Sequence, residues 1–221
     1  MIDDAFIVPQ WQGPARVHAV FTTRAIDVTG DKLRARLPSD PIWLSQVHGS
    51  EVVDVDVQRL SRPQADAAVT RTPGNVITVR VADCLPILLA DRDASVVAVA
   101  HAGWRGLSAG VLENTVAAMR TDTTQIAAWI GPAIGPRAFE VGRDVYDAYC
   151  MRDPASARYF APYRQGKWLA DLAGLARYRL AAIGVSKVDG GHWCTYTDTD
   201  RFFSYRREKG AGRMALAAWI A

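Results

Sequence analysis

Residues 82–106 read ADCLPILLADRDASVVAVAHAGWRG, and this stretch decides the fold. Positions 85–90 and 96–100 are apolar at odd and even places alike, so neither run offers a wet face. The turn-prone Asp91-Arg92-Asp93 stands between them. Two such runs around a short polar break predict a hairpin buried on both faces, the centre of a core. Downstream, Leu107, Val111, Thr115, Ala118 and Met119 recur at helical spacing behind Gly103 and Gly106. The chain therefore leaves the hairpin through a glycine-rich loop into a helix.

Working outward, residues 52–57 (VVDVDV) alternate apolar with acidic side chains, and 76–81 (VITVRV) alternate less cleanly around Thr78 and Arg80. Both predict strands. Residues 126–130 predict a buried strand, closed by a Gly-Pro-Ala-Ile-Gly-Pro run at 131–136 that admits neither a helix nor a regular ladder. Residues 145–150 and 169–183 read as helices, the second with Leu172, Leu175, Ala176, Arg179 and Ile183 at helical spacing and Gly184 at its end. Residues 202–205 and 214–220 close the chain as expected strands. Helices and strands mix without strict alternation, and no phosphate-binding glycine motif occurs. The expected fold class is α+β, a mixed β-sheet sandwich core covered by helices, with residues 1–221 forming one domain.

Composition narrows the function classes. With 49% hydrophobic and 22% charged residues, the chain excludes intrinsic disorder. Its 26 Lys and Arg against 23 Asp and Glu leave a net charge of +3 spread along the sequence, so no nucleic-acid partner is indicated. The longest apolar runs fall well short of the roughly 18 residues that a membrane helix needs. The start, MIDDAFIVP, carries acids where a secretory signal carries bases and is followed by no apolar run, which predicts a cytoplasmic protein. Three cysteines, Cys84, Cys150 and Cys194, are odd in number and widely spaced, unlike a disulfide framework.

Three metal-competent side chains end or follow apolar segments: His48 in QVHG, Cys84 in ADCLP and His101 in HAGWRG. Strand ends are where a scaffold hands polar side chains to a pocket. Two imidazoles and a thiolate suit zinc, with a fourth position open for water or substrate. Their spacing is not a local zinc motif, so residue types alone favour a buried small Cys84 and two satisfied core histidines over a metal site. His18, His192 and Cys150 read as structural, and Cys194 as packing or the rim of a site. Arg105 sits in a glycine-rich turn at an expected helix N-terminus, where amide groups and a guanidinium together suit phosphate or another oxyanion. Arg206 and Arg207, with Lys209 and Arg213, form a basic cluster among glycines that suits an anion or a solvated hairpin.

Taken in order, QVHG (46–49), ADCLP (82–86), HAGWRG (101–106), IGPAIGPRAFEV (130–141), CTYT (194–197), FFSYRR (202–207) and GRM (212–214) resemble the bacterial laccase-domain (YfiH-like) family. Its members were first called polyphenol oxidases and later described as purine nucleoside phosphorylases with adenosine deaminase activity. The resemblance runs from about Ile7 to the C-terminus. It implies a fold also similar to a cysteine hydrolase, and a metal centre of His48, Cys84 and His101 holding zinc, with copper as the alternative. It further implies phosphorolysis of adenosine, inosine or methylthioadenosine, with purine nucleoside and phosphate as small-molecule partners of a monomer or homodimer. Arg105 is the candidate for phosphate in that reaction, with Arg24 and Arg206 as further candidates for binding substrate or phosphate. A Cys84 nucleophile in an amide hydrolase of peptidoglycan precursor editing, and copper-dependent phenol oxidation, are the competing chemistries. One departure stands out: between Thr22-Thr23-Arg24 and the QVHG motif the chain is shorter than family members usually are, beside the expected pocket.

Overall fold

The computed structural model of the chain describes residues 5–58, 61–210 and 212–221, so the N-terminal MIDD lies outside the described residues. A five-stranded sheet has the order β1 (Phe6–Ile7), β2 (Val17–Thr22), β14 (Met214–Ile220), β6 (Val76–Val81) and β3 (Pro41–Ile42). A six-stranded sheet runs β13 (Lys187–Gly190), β9 (Ile126–Ile130), β7 (Leu85–Asp91), β8 (Val97–Ala102), β5 (Ala67–Thr70) and β4 (Val52–Asp54). A three-stranded sheet, β10 (Glu140–Val141), β12 (Lys167–Ala170) and β11 (Phe160–Arg164), is antiparallel. Both larger sheets are mixed: β3 runs parallel to β6, β4 to β5 and β13 to β9, and the other pairings are antiparallel.

The β7–β8 hairpin lies at the middle of a sandwich because its side chains alternate between two apolar layers. Leu88, Val97 and Val99 point with Trp129 toward Phe21, Val79, Val81 and Leu216 of the five-stranded sheet. Ile87, Leu89, Ala98 and Ala100 point the other way, onto Leu107, Val111, Leu112, Leu175 and Leu180 of the covering helices. Each fully buried aliphatic side chain contributes roughly 2 kcal/mol. A run without a wet face is therefore what a strand buried between helices and a second sheet requires. The expected α+β sandwich is the observed one.

Several local expectations shift. The helical pattern around Leu107 forms two helices, α2 (Trp104–Ala109) and α3 (Val111–Met119), because Gly110 adopts φ 98° between them. The remaining helices are α1 (Asp31–Arg34), α4 (Arg143–Cys150) and α5 (Leu172–Ala182). Leu169 and Ala170 belong to β12, and α5 begins after Asp171, whose carboxylate accepts the Gly174 amide. Only Val52–Asp54 of the 52–57 stretch is a strand. Asp56 turns its carboxylate to the Arg71 amide and the Thr70 hydroxyl, so this acid ties a loop and is no wet strand position. Residues 202–205 form no strand; Phe202 is buried and the Ser204 hydroxyl donates to Asp83. The 131–136 run carries one isolated bridge, Ala133 to Cys194, as its prolines and glycines demand.

Candidate metal centre and its cavity

The hairpin register assembles the centre. Pro86 pairs with His101 across β7 and β8, which sets Cys84, one residue before β7, beside the start of the loop after β8. His48 arrives on the loop between β3 and β4. One nitrogen from each histidine and the Cys84 sulfur lie within 4.8 Å of one another. The two imidazole rings meet edge to face at 4.8 Å between centroids. Gly103 permits this approach, since a Cβ there would stand 2.9 Å from Cys84 Sγ and 3.3 Å from His48 Cδ2.

One carboxylate organises both histidines. Asp66, fully buried just ahead of β5, accepts the amides of Val47 (3.1 Å) and Gly49 (2.7 Å) on Oδ2, and of His48 (2.9 Å) on Oδ1. His101 Nδ1 donates to Oδ1 at 2.7 Å. Three successive amides around an anion form a nest, which offsets the left-handed backbone of His48 at φ 60°. With Nδ1 committed, His101 presents Nε2 to the site. Gln46 anchors the loop by donating to the Arg80 carbonyl (2.8 Å) and accepting the Arg80 amide (2.9 Å). Asp83 does the same for Cys84: at φ 88° its carboxylate accepts the Thr195 hydroxyl (2.6 Å), the Ser204 hydroxyl (3.0 Å) and the Arg206 amide (2.7 Å).

The electrostatics follow from these contacts. Burial works to raise the Cys84 thiol, but hydrogen bonds and charge from His101 and His48 outweigh it and bring the group down to about 6. Burial works to lower His101, yet the Asp66 and Cys84 bonds and charges carry it up to about 9. Between those values the pair is thiolate and imidazolium. In metal-free protein, alkylation of Cys84 is therefore expected to lose half its plateau rate near pH 6 as the thiolate is protonated. A midpoint near the ordinary thiol value, followed by mass spectrometry of the Cys84 peptide, would contradict this arrangement.

The donor set fits a zinc ion: two imidazole nitrogens and a thiolate, an orienting carboxylate behind one histidine, and a side open to solvent. That open side is a cavity of about 790 Å3, whose wall includes Arg105, Arg62, Arg80, Arg213 and Tyr205. Arg105 stands at the start of α2, as its motif suggested, with its guanidinium 4.2 Å from the Trp104 ring centroid. Arg24 and Arg206 are not part of this cavity's described wall. Arg24 donates to the Thr199 carbonyl and lies over Phe203, and Arg206 donates to the Glu140 carbonyl and lies over Phe139. His18 stacks on Trp219, His192 packs on Trp193, and Cys194 accepts the Gly135 amide. Asp66 is the functional residue that motif reading missed. Its signal was an acid set directly against the apolar 67–69 run, with no partner nearby in sequence.

Fold and site together define an α+β sandwich protein with a His-Cys-His centre under a cationic cavity. A sequence model of the family described as multi-copper polyphenol oxidoreductase laccase matches residues 23–221, and the chain belongs to that family. It is 44% identical over 239 residues to purine nucleoside phosphorylase YfiH of Escherichia coli, covering 97% of this chain and 98% of the relative. It is 43% identical over 241 residues to a purine nucleoside phosphorylase of Pseudomonas aeruginosa, covering 98% and 99%. Among solved structures, a Neisseria meningitidis protein superposes with a TM-score of 0.91 at 40% identity, over 98% of this chain and 99% of that one. No helix among the described residues is long and apolar enough to cross a membrane.

Proposed function

We propose that this protein is a purine nucleoside phosphorylase acting on adenosine, inosine or methylthioadenosine. The observation that carries the reading is a cationic cavity opening directly onto the His48, Cys84 and His101 centre. The names of the relatives support it. In the reaction a phosphate oxygen bonds to the ribose anomeric carbon, the bond from that carbon to the purine nitrogen breaks, and the base leaves with its electron pair and takes up a proton. Arg105 holds the attacking phosphate dianion, countering its charge at the cavity wall. Tyr205, half exposed on the same wall, offers a flat face to the purine. His101, held by Asp66 through Nδ1, turns its Nε2 toward the centre, and the departing base takes its proton from solvent in the open cavity. His48, Cys84 and His101 would hold zinc, which when bound supplies a Lewis acid that polarises a ligand or a water, the latter serving deamination of adenosine as a side activity. The free thiols accord with a cytoplasmic setting.

The test is incubation of adenosine and inosine with phosphate. Ribose 1-phosphate and free base are expected, and release of base that ignores phosphate would remove the reading. An Arg105→Gln variant is expected to raise the KM for phosphate about tenfold with a smaller change for nucleoside, the loss of one charge-assisted bond.

A second reading has its own observation. Asp66, His101 and Cys84 stand in the order of an acid, base and nucleophile triad, which suits a thiolate attack on an amide carbonyl. Amide hydrolysis that survives removal of zinc would favour it. Copper-dependent phenol oxidation is the weakest chemistry here, because several copper centres need more ligands than the one three-residue group found among the described residues.

A further inference from the structure

Arg80 is placed where an arginine is costly without a counter-ion. It sits on β6 between Val79 and Val81, which enter the apolar layer, so its own side chain leaves by the opposite face into the cavity wall. It is half-buried, and its guanidinium lies 5.7 Å from the Trp43 ring centroid. Other half-buried arginines have acceptors: Arg71 pairs with Asp54, Arg179 with Glu113 and Arg207 with Glu208, and Arg177 donates to the Val188 and Gly190 carbonyls. Among the described residues none forms a salt bridge or side-chain hydrogen bond with Arg80. The charges that bear on it are those of Arg62 and Arg213, which with burial lower its pKa. Both also line the cavity, whose described wall contains four arginines and no carboxylate.

Arg105 lies at the start of α2, on a different element from Arg80 of β6. Positive charge thus enters the cavity from two elements, the helix beside His101 and the strand leading to Cys84. Like charges gathered at one place in a cavity are stabilised by a compact anion that accepts from several guanidinium groups at once. A single inorganic phosphate uses one such place.

We propose that Arg80, with Arg62 and Arg213 beside it, forms a second anion subsite, distinct from Arg105, that takes a phosphate dianion. The dianion is either the 5′-phosphate of a nucleoside monophosphate or free phosphate. This deepens the phosphorylase reading by extending its substrate class to 5′-phosphorylated nucleosides, and its test reads binding alone, so loss of either idea leaves the other measurable.

Calorimetric titration of the zinc-loaded protein with adenosine, adenosine 5′-monophosphate and inorganic phosphate tests it, with Arg80→Gln and Arg105→Gln in parallel. The monophosphate is expected to bind about tenfold more tightly than adenosine, an advantage lost in Arg80→Gln and kept in Arg105→Gln. If the two nucleosides bind alike and Arg80→Gln instead weakens inorganic phosphate about tenfold, the subsite stands with free phosphate as its ligand. Unchanged affinity for both phosphate compounds in Arg80→Gln overturns the subsite. Arg62 is exposed and provides a variant that does not touch the core. Arg62→Gln is expected to weaken the same ligand severalfold, and no change there counts against the cluster. Binding of the monophosphate without turnover would leave the subsite in place and count only against phosphorolysis.

Discussion

An Asp66→Ala protein is expected to lose the centre as a unit, with zinc affinity falling about 10 to 100-fold and stability falling by about 3 kcal/mol. The size follows from how much converges on one buried carboxylate. Three amides of the His48 loop and the His101 ring donate to it, and its removal strands all four donors away from water. His48 would also lose what holds its left-handed backbone at φ 60°. Without the anion, His101 should titrate below its present value near 9, and Cys84 should move up from about 6 because its imidazolium partner is weaker. Asp66→Asn separates shape from charge. It preserves volume, but its amide group turns a donor toward the nest or toward His101, so an intermediate loss is expected. Thermal unfolding, zinc titration and the pH profile of Cys84 alkylation measure the three effects. Wild-type zinc affinity and melting temperature in Asp66→Ala would show that the loop and ring are held by other means.

How far such a centre can be read from sequence depends on what sets each part. The β7–β8 hairpin was legible because burial on both faces leaves a local mark, unbroken apolar runs around Asp91-Arg92-Asp93. Cys84, His48 and His101 were legible as three strand-end residues, and family resemblance grouped them before geometry did. Asp66 was not, because its partners are 17 to 35 positions away and only strand pairing brings them near. The same holds for the 202–205 segment, whose aromatic residues suggest a strand. There Asp83, more than 100 positions away, takes the polar groups that a ladder would otherwise satisfy. The acidic alternation at 52–57 misled for the converse reason: Asp56 bonds to its own loop, and a carboxylate serving a turn looks like one facing water. Arg24 and Arg206 each donate to a carbonyl distant in sequence, of Thr199 and Glu140, contacts that motif reading does not reveal.

Replacing Cys84 is expected to have the largest effect on activity, a loss of about 10³-fold or more in kcat/KM for phosphorolysis. Two consequences reach beyond the missing sulfur. Cys84→Ser puts in its place a hydroxyl that stays protonated at neutral pH, so His101 and His48 lose the anion that their hydrogen bonds and charges now stabilise. The donor set shrinks to two imidazoles, which no longer meets the three protein ligands of an open zinc site. Zinc stoichiometry and turnover are therefore expected to fall together in Cys84→Ser and in Cys84→Ala, since neither side chain offers a thiolate. The hairpin itself should survive, because Cys84 precedes β7 and Leu85 to Ala90 keep their pairing with β8. The melting temperature of the metal-free protein would then change little, while metal binding and activity are lost. If Cys84→Ser instead keeps stoichiometric zinc and loses only amide hydrolysis, the thiolate is a nucleophile and the triad reading gains. If it keeps both zinc and wild-type phosphorolysis, the sulfur has no part in the reaction, and the chemistry must rest on His101 and the arginines of the cavity wall.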